Sequence, residues 1–399
     1  MIAVPSEVAV IPPGSVVGIV GGGQLGRMLS MAAAQLGYKC HIFDPHEHPP
    51  AADVAADFTR AEYDDMAALR DFGSKVDVAT YEFENLPVEP LEVLGDKLRP
   101  STRSLAIAQD RAREKAFIEG CGARVARWEA VASYEEVCEA VDRIGVPLVL
   151  KTRRYGYDGK GQSWIRAPEQ AEESWSVIAE EPAVAETGVS FSAEFSVIVA
   201  RWADGGHVFW DSPENEHHEG ILRRSSVPCG DAVAPQIAEA REATLRIAEA
   251  LGHIGVLTVE FFASEDGPVV NEIAPRVHNS GHWTIEGAAT SQFEQHVRAI
   301  CGLDLGSSEA LAPTAMVNLL GTGSGRPARL EAIGLARAMA DPTVHLHLYD
   351  KRQVFERRKM GHVTAVGAST EEALARARAA VELLRWKDDD SPEPRDMQS

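Results

Sequence analysis

Two glutamates, Glu260 and Glu272, fall in runs that read as paired strands, 256–262 and 269–274, around the turn-like Ser264-Glu265-Asp266-Gly267-Pro268. With the turn centred on Asp266, the carboxylates lie opposite each other on one sheet face. Like charges so placed repel. A divalent cation between them removes the conflict, and oxygen ligands beside phosphates favour magnesium. Asn271 flanks the pair. Lys151 ends a separate apolar run, 147–151, and precedes Tyr155-Gly156-Tyr157-Asp158-Gly159-Lys160-Gly161-Gln162. A strand-end lysine reaches phosphate oxygens, and closely spaced glycines let backbone N–H groups fold over them. A solvated basic hairpin is the bland alternative, and it leaves the glycine spacing unexplained. Arg276, His278 and Asn279, in an aperiodic polar stretch beside the acidic hairpin, read as substrate contacts, whereas the lone His282 reads as structural.

Two further patterns compete for a role. Gly21-Gly22-Gly23-Gln24-Leu25-Gly26 fits the dinucleotide fingerprint GxGxxG, with Asp44 18 residues beyond Gly26. The same pattern serves tight turns that bind no dinucleotide. Residues 351–359 hold five basic side chains in nine positions, against a formal net charge of −21 for the 399-residue chain. They read either as a solvated face or as a phosphate site.

The elements that must position these groups are mixed α/β. Residues 16–20, 39–43 and 76–80 read as strands and 24–36 as a helix closed by Gly37, so the start is a parallel βα layer. Helices are expected at 104–119, from Ser133 to 144, at 234–251 and at 371–384; strands at 147–151, within 187–201, at 316–320 and at 344–349. Residues 1–14 read as a loose extension and 387–399 as a disordered acidic tail. The acidic balance excludes a broad nucleic-acid surface. Five scattered cysteines without CxxC spacing suggest neither a zinc site nor a disulfide framework. No apolar run is long enough for a membrane span, and a cytoplasmic location is expected.

The series GGGQLGRM, YEFEN, GYDGKGQ, VEFF with NEIAPRVHNSGHWT, and RRKMGH, in order across about residues 15–367, resembles the N5-carboxyaminoimidazole ribonucleotide synthetase family of ATP-grasp ligases. The resemblance implies an N-terminal Rossmann-like pre-ATP-grasp domain without NAD (15–105), an ATP-grasp domain (106–305, with a mobile subdomain about 145–200) and a small β-rich C-terminal domain (306–386). It implies a reaction of ATP, bicarbonate and 5-aminoimidazole ribonucleotide with Mg2+, Mn2+ being an alternative. It also implies a homodimer, and a separate mutase to take the product. Matched by motif, ATP contacts fall on Arg111, Lys151, Gly156 to Gln162, Glu186, Thr187, Gly188, Val189, Glu194, His217, Asn271 and Glu272, and metal ligands on Glu260 and Glu272. Ribonucleotide contacts fall on Gln24, Leu25, Glu82, Lys351, Arg358 and Lys359. Tyr157, Asp158, Arg276, His278 and Asn279 surround the reacting groups, with Asp158 or His278 moving the amine proton. Tyr155 stands where relatives carry glycine, and Phe355-Glu356 where they carry small or proline-like residues. A formate-dependent glycinamide ribonucleotide transformylase on the same architecture, and an NAD-dependent dehydrogenase from the glycine loop alone, are the competing readings.

Overall fold

The first sheet forms because three short, largely apolar runs have helices to cover both faces, with the more exposed Asp57–Arg60 added at one edge. The computed structural model describes residues 9–156 and 159–388, so positions 1–8, Tyr157, Asp158 and 389–399 named above lie outside the described residues. Strands Asp57–Arg60, Lys39–Asp44, Val16–Val20 and Val78–Tyr81 pair in that order, all parallel. Val17 and Ile19 pack on Leu25, Met28 and Leu29 of helix Gln24–Gln35, while Val20 packs on the Leu69 and Phe72 side. Continuous burial on both faces is what a parallel sheet demands.

A small antiparallel sheet carries Trp128–Val131, Ala183–Thr187, Leu148–Thr152 and Gln162–Ile165. The expected strand region 187–201 is therefore two elements in two sheets, since Ala193–Arg201 belongs to the large one. That large antiparallel sheet runs Gly267–Ala274, Gly255–Ser264, Ala193–Arg201, Glu214–His218, Ile221–Val227, Thr314–Leu320, Lys359–Val366, Val344–Leu348. Strands from either side of position 306 thus share one sheet, through Ile221–Val227 paired with Thr314–Leu320. Helix Ile237–Leu251 covers one face, and helix Gln292–Cys301 fills the space between the other face and helix Gln24–Gln35.

Four expectations need correction. The helix expected over 104–119 is two, Thr102–Ala108 and Arg111–Gly120. Asp110 breaks it by accepting the Ala112 and Arg113 N–H groups at 3.1 and 3.3 Å. This N-cap also binds Arg153 (2.7 Å), and the break sets Arg111 on a first helical turn. The extension is pinned where it is described: Ile11 N–H donates to Cys301 O and Tyr38 Oη donates to Ile11 O. The tail is ordered at its start, because Trp386–Asp388 pairs with Ser324–Leu330 and Trp386 Nε1 donates to Leu320 O. Finally, the acidic hairpin turns at Ser264–Gly267, centred between Glu265 and Asp266. An unbroken ladder would set Glu260 against Asn271. A bulge at Asn271 adds one residue and restores the Glu260–Glu272 pairing.

His296 ties the first sheet to the large one. Its Nδ1 accepts from Val256 N–H (3.1 Å), which leaves the Nε2 proton for Thr80 Oγ1 (2.8 Å). Burial pushes His296 down to about 3 and His253 down to about 4. The unfolded chain binds a proton at each near pH 6.5 while the folded chain does not. Stability should therefore fall as pH drops from about 6.5 toward 4, on the order of 1–2 kcal/mol per histidine at pH 5. Urea midpoints across this range should show the slope, and His296→Gln should flatten it.

Candidate active site

The glycine loop looks like a dinucleotide site, but the chain itself occupies it. Glu82, just beyond strand Val78–Tyr81, accepts the Gly23 N–H and, at 2.8 Å, the Gly26 N–H. Its carboxylate sits at the helix N-terminus, where a pyrophosphate would otherwise bind. Burial raises its pKa, and the two N–H groups hold it down. Asp44 is equally committed, accepting Gly22 N–H (2.7 Å), Tyr63 Oη (2.7 Å) and His46 N–H (2.8 Å). Pro49 closes over Gly22, where a Cβ would lie 2.4 Å from it. These contacts leave no room for the dinucleotide reading.

Beside this loop opens a cleft of about 1690 Å³, continuous with a smaller chamber of about 370 Å³. All the described residues that the resemblance assigns to ATP, metal, ribonucleotide or the reacting groups line them. The larger takes Gln24, Leu25, Glu82, Gly156, Arg276, Lys351 and Arg358. The smaller takes Lys151, Gly161, Glu186, Thr187, Gly188, Val189, Glu194, His217, Glu260 and Asn271. Arg111, Gly159, Lys160, Gln162, Glu272, His278, Asn279 and Lys359 line both.

In the smaller chamber, Glu186 is held between two ammonium groups, Lys151 and Lys115, each at 3.1 Å. Burial alone would raise its pKa; Lys151, Lys115 and Arg111 together bring it below the usual carboxylate range. Lys151 also donates to Asn271 Oδ1 (3.3 Å). Arg111 Nη1 meets Glu272 Oε2 at 3.0 Å, and Glu272 too stays low against burial because of that guanidinium. Burial pushes Glu260 up to about 7, with His217 opposing and Glu272 adding to the rise. Arg111 thus favours the ionised form of Glu272, whereas burial and the neighbouring Glu272 favour the protonated form of Glu260. Among the described residues no group of three or more His, Cys, Asp and Glu could hold a metal unaided. Two carboxylates facing a phosphate chamber fit magnesium, which keeps ligand positions for phosphate and water.

Toward the larger chamber, Arg276 pairs with Glu84 (2.6 Å), and its Nε is buried with no hydrogen-bond partner among the described residues. Asn279 and Asn318 exchange two amide hydrogen bonds, 2.7 and 3.0 Å. Lys351 Nζ donates to Gln24 Oε1 (2.6 Å) and Lys359 O (2.7 Å), tying the basic segment to the glycine loop. The Arg358 guanidinium lies 5.5 Å from the Phe355 ring centroid, which gives the unusual Phe355 a packing role. Tyr155 has φ 61°, a left-handed conformation that explains why glycine suits that position.

Sequence reasoning missed Lys115, Glu84, Asp110 and Glu114. Glu114 accepts Ile273 N–H (2.7 Å), and burial pushes it up to about 8. The signal available was a pair of adjacent charges, Glu114-Lys115, on the inner side of a helix.

Residues 15–109 match the ribonucleotide synthetase preATP-grasp domain, 116–293 the ATP-grasp domain, and 314–376 the phosphoribosylaminoimidazole carboxylase C-terminal domain. The chain is 43% identical to N5-carboxyaminoimidazole ribonucleotide synthase of Brucella melitensis, over 90% of this chain and 98% of that one. It is 42% identical to the bifunctional purine synthesis protein purC/E of Dictyostelium discoideum over 89% of this chain, but spans only 37% of that protein. A crystal structure of the Aspergillus clavatus N5-carboxyaminoimidazole synthase in complex with ADP and 5-aminoimidazole ribonucleotide aligns with TM-score 0.84 at 27% identity, covering 92% of this chain and 98% of that one.

Glu186→Ala should strand Lys115 in the interior and cost about 3–5 kcal/mol in urea unfolding, whereas Lys115→Met with Glu186→Leu should recover most of that loss.

Proposed function

The chain belongs to the N5-carboxyaminoimidazole ribonucleotide synthase family, and on that premise we propose that its cleft carboxylates 5-aminoimidazole ribonucleotide with bicarbonate and ATP, through carboxyphosphate, giving N5-carboxyaminoimidazole ribonucleotide, ADP and phosphate in purine (IMP) biosynthesis. The observation that carries this reading is that Glu272, His278, Asn279 and Lys359 line both chambers, so a phosphoryl group and a ribonucleotide amine can meet there.

In this reading ATP fills the smaller chamber. Lys151 and the loop Gly156 to Gln162 hold the phosphates, 186–189 the adenine, Glu194 the ribose, and Arg111 and His217 the remaining polar edges. Glu260 and Glu272 would hold Mg2+, which neutralises charge on the phosphates when bound. Bicarbonate oxygen attacks the γ-phosphorus and ADP leaves. Arg276, whose buried Nε awaits an acceptor, grips the carboxyphosphate. The exocyclic amine then attacks the carboxyl carbon, phosphate departs with the bonding electrons, and the amine proton is released. Gln24, Leu25 and Glu82 hold the ribonucleotide at the first sheet; Lys351, Arg358 and Lys359 hold its phosphate. The resemblance adds Tyr157 and Asp158 to this centre. Location in the cytoplasm, a homodimer and a separate mutase downstream belong to the same reading; among the described residues no helix is long and apolar enough to cross a membrane.

Coupled phosphate release should require ATP, bicarbonate and 5-aminoimidazole ribonucleotide together. Turnover with formate and glycinamide ribonucleotide instead would overturn the assignment. Glu272→Ala should abolish Mg2+-dependent ATP turnover while the circular dichroism spectrum stays native. Lys351→Ala should raise the KM for the ribonucleotide roughly 10–100-fold, the loss of one charge-assisted hydrogen bond.

A further inference from the structure

His278 is the one histidine lining both chambers. Such a group can either take a proton or donate a hydrogen bond, and which it does depends on which ring nitrogen carries the proton. Behind it runs a line of buried side chains from three strands and one turn. Ser225 Oγ meets Asn215 Oδ1 at 2.7 Å, Asn215 Nδ2 donates to Ser196 Oγ at 2.7 Å, Ser196 Oγ meets Ser280 Oγ at 2.9 Å, and Ser280 Oγ meets His278 Nδ1 at 2.9 Å. The three serines are fully buried and Asn215 nearly so.

The direction of this run follows from the fixed donors at its two ends. The Ser280 hydroxyl can turn its proton to Ser196 Oγ or to His278 Nδ1, and donation from Asn215 Nδ2 into Ser196 Oγ leaves the Ser196 proton able to point at Ser280, which favours the second. At the other end the Ser280 backbone N–H points at the same Nδ1 (3.3 Å), the imidazole serving as N-cap of the short turn Asn279–Gly281. A backbone N–H cannot reverse. Nδ1 is therefore an acceptor, and the ring proton lies on Nε2, 3.4 Å from Glu260 Oε1.

We propose that Asn215, Ser196 and Ser280 are positioning residues that lock His278 as the Nε2–H tautomer, so that it enters the cleft as a hydrogen-bond donor to a carboxylate or to an oxygen of the transferred group, and not as the base for the amine proton. This rests on the reading of the cleft given above and sharpens it, since the family resemblance leaves Asp158 and His278 as alternatives for moving the amine proton.

The test is a long-range 1H–15N spectrum of the full chain, uniformly labelled at histidine and free of substrates, with His278 assigned by its loss in His278→Gln. The expected result is an unprotonated Nδ1 and a protonated Nε2. Ser280→Ala keeps the backbone donor but removes the hydroxyl. It should shift His278 toward a tautomer mixture and lower kcat about 3–30-fold, with KM for ATP changed less than about twofold. Ser280→Thr should restore both readouts, and Ser196→Ala should move them in the same direction by less. A protonated Nδ1 in the unsubstituted protein overturns the proposal, as does a Ser280→Ala protein with unchanged spectrum and kcat. If Ser280→Ala fails to fold, the unsubstituted spectrum still decides. That spectrum needs no substrate, so a failure of the carboxylation assay leaves it standing and falls on the assigned reaction alone.

Discussion

Two carboxylates face each other across a pair of strands, and much of the architecture serves to make that arrangement bearable. Glu260 and Glu272 are in register only because Asn271 is an extra residue in the ladder. Their repulsion is met on one side by Arg111, which is available because Asp110 interrupts the preceding helical stretch and starts a new turn there. Asp110 is in turn held by Arg153, two residues beyond Lys151. The acidic pair, the helix break and the nucleotide-side strand form one electrostatic unit, and removing any member leaves a buried charge without its counterpart.

The same logic explains how so acidic a chain can present a site for anions. The negative excess lies largely on solvated surfaces, where water and salt screen it. Within the cleft Glu186 is matched by two lysines, Glu272 by Arg111 and Glu84 by Arg276, while Glu260 is left with its pKa raised by burial. Arg111, Arg276, Lys151, Lys351, Arg358 and Lys359 still face the cleft, and the net charge of the sequence says little about it.

Three strands of the first sheet were legible in the sequence because parallel strands covered on both faces are written as apolar runs; the edge strand Asp57–Arg60, polar at both ends and half exposed, was not. The opposed glutamates were legible for a chemical reason, the implausibility of two acids on one face without a cation. The bulge that makes the pairing true was not, since nothing in 264–274 marks which residue is extra. Nor was the break at Asp110, whose partner Arg153 is brought near only by the tertiary fold. Lys115 was invisible for the same reason: its partner Glu186 lies on a different element. The glycine loop misleads if read alone, and the acid that settles it, Glu82, comes from the far end of another strand.

The shared large sheet has a mechanical consequence. The strands bearing the two glutamates and the strand that begins at Lys359 belong to one hydrogen-bonded array, so the spacing between Glu260, Glu272 and Lys359 is set by interstrand geometry and not by a hinge. It also makes the C-terminal portion indispensable to the middle one. Without Thr314–Leu320, strand Ile221–Val227 would present a bare row of backbone donors and acceptors, an adhesive edge open to any other chain. During synthesis the middle portion is therefore exposed to aggregation until about the last fifth of the polypeptide arrives to seal it.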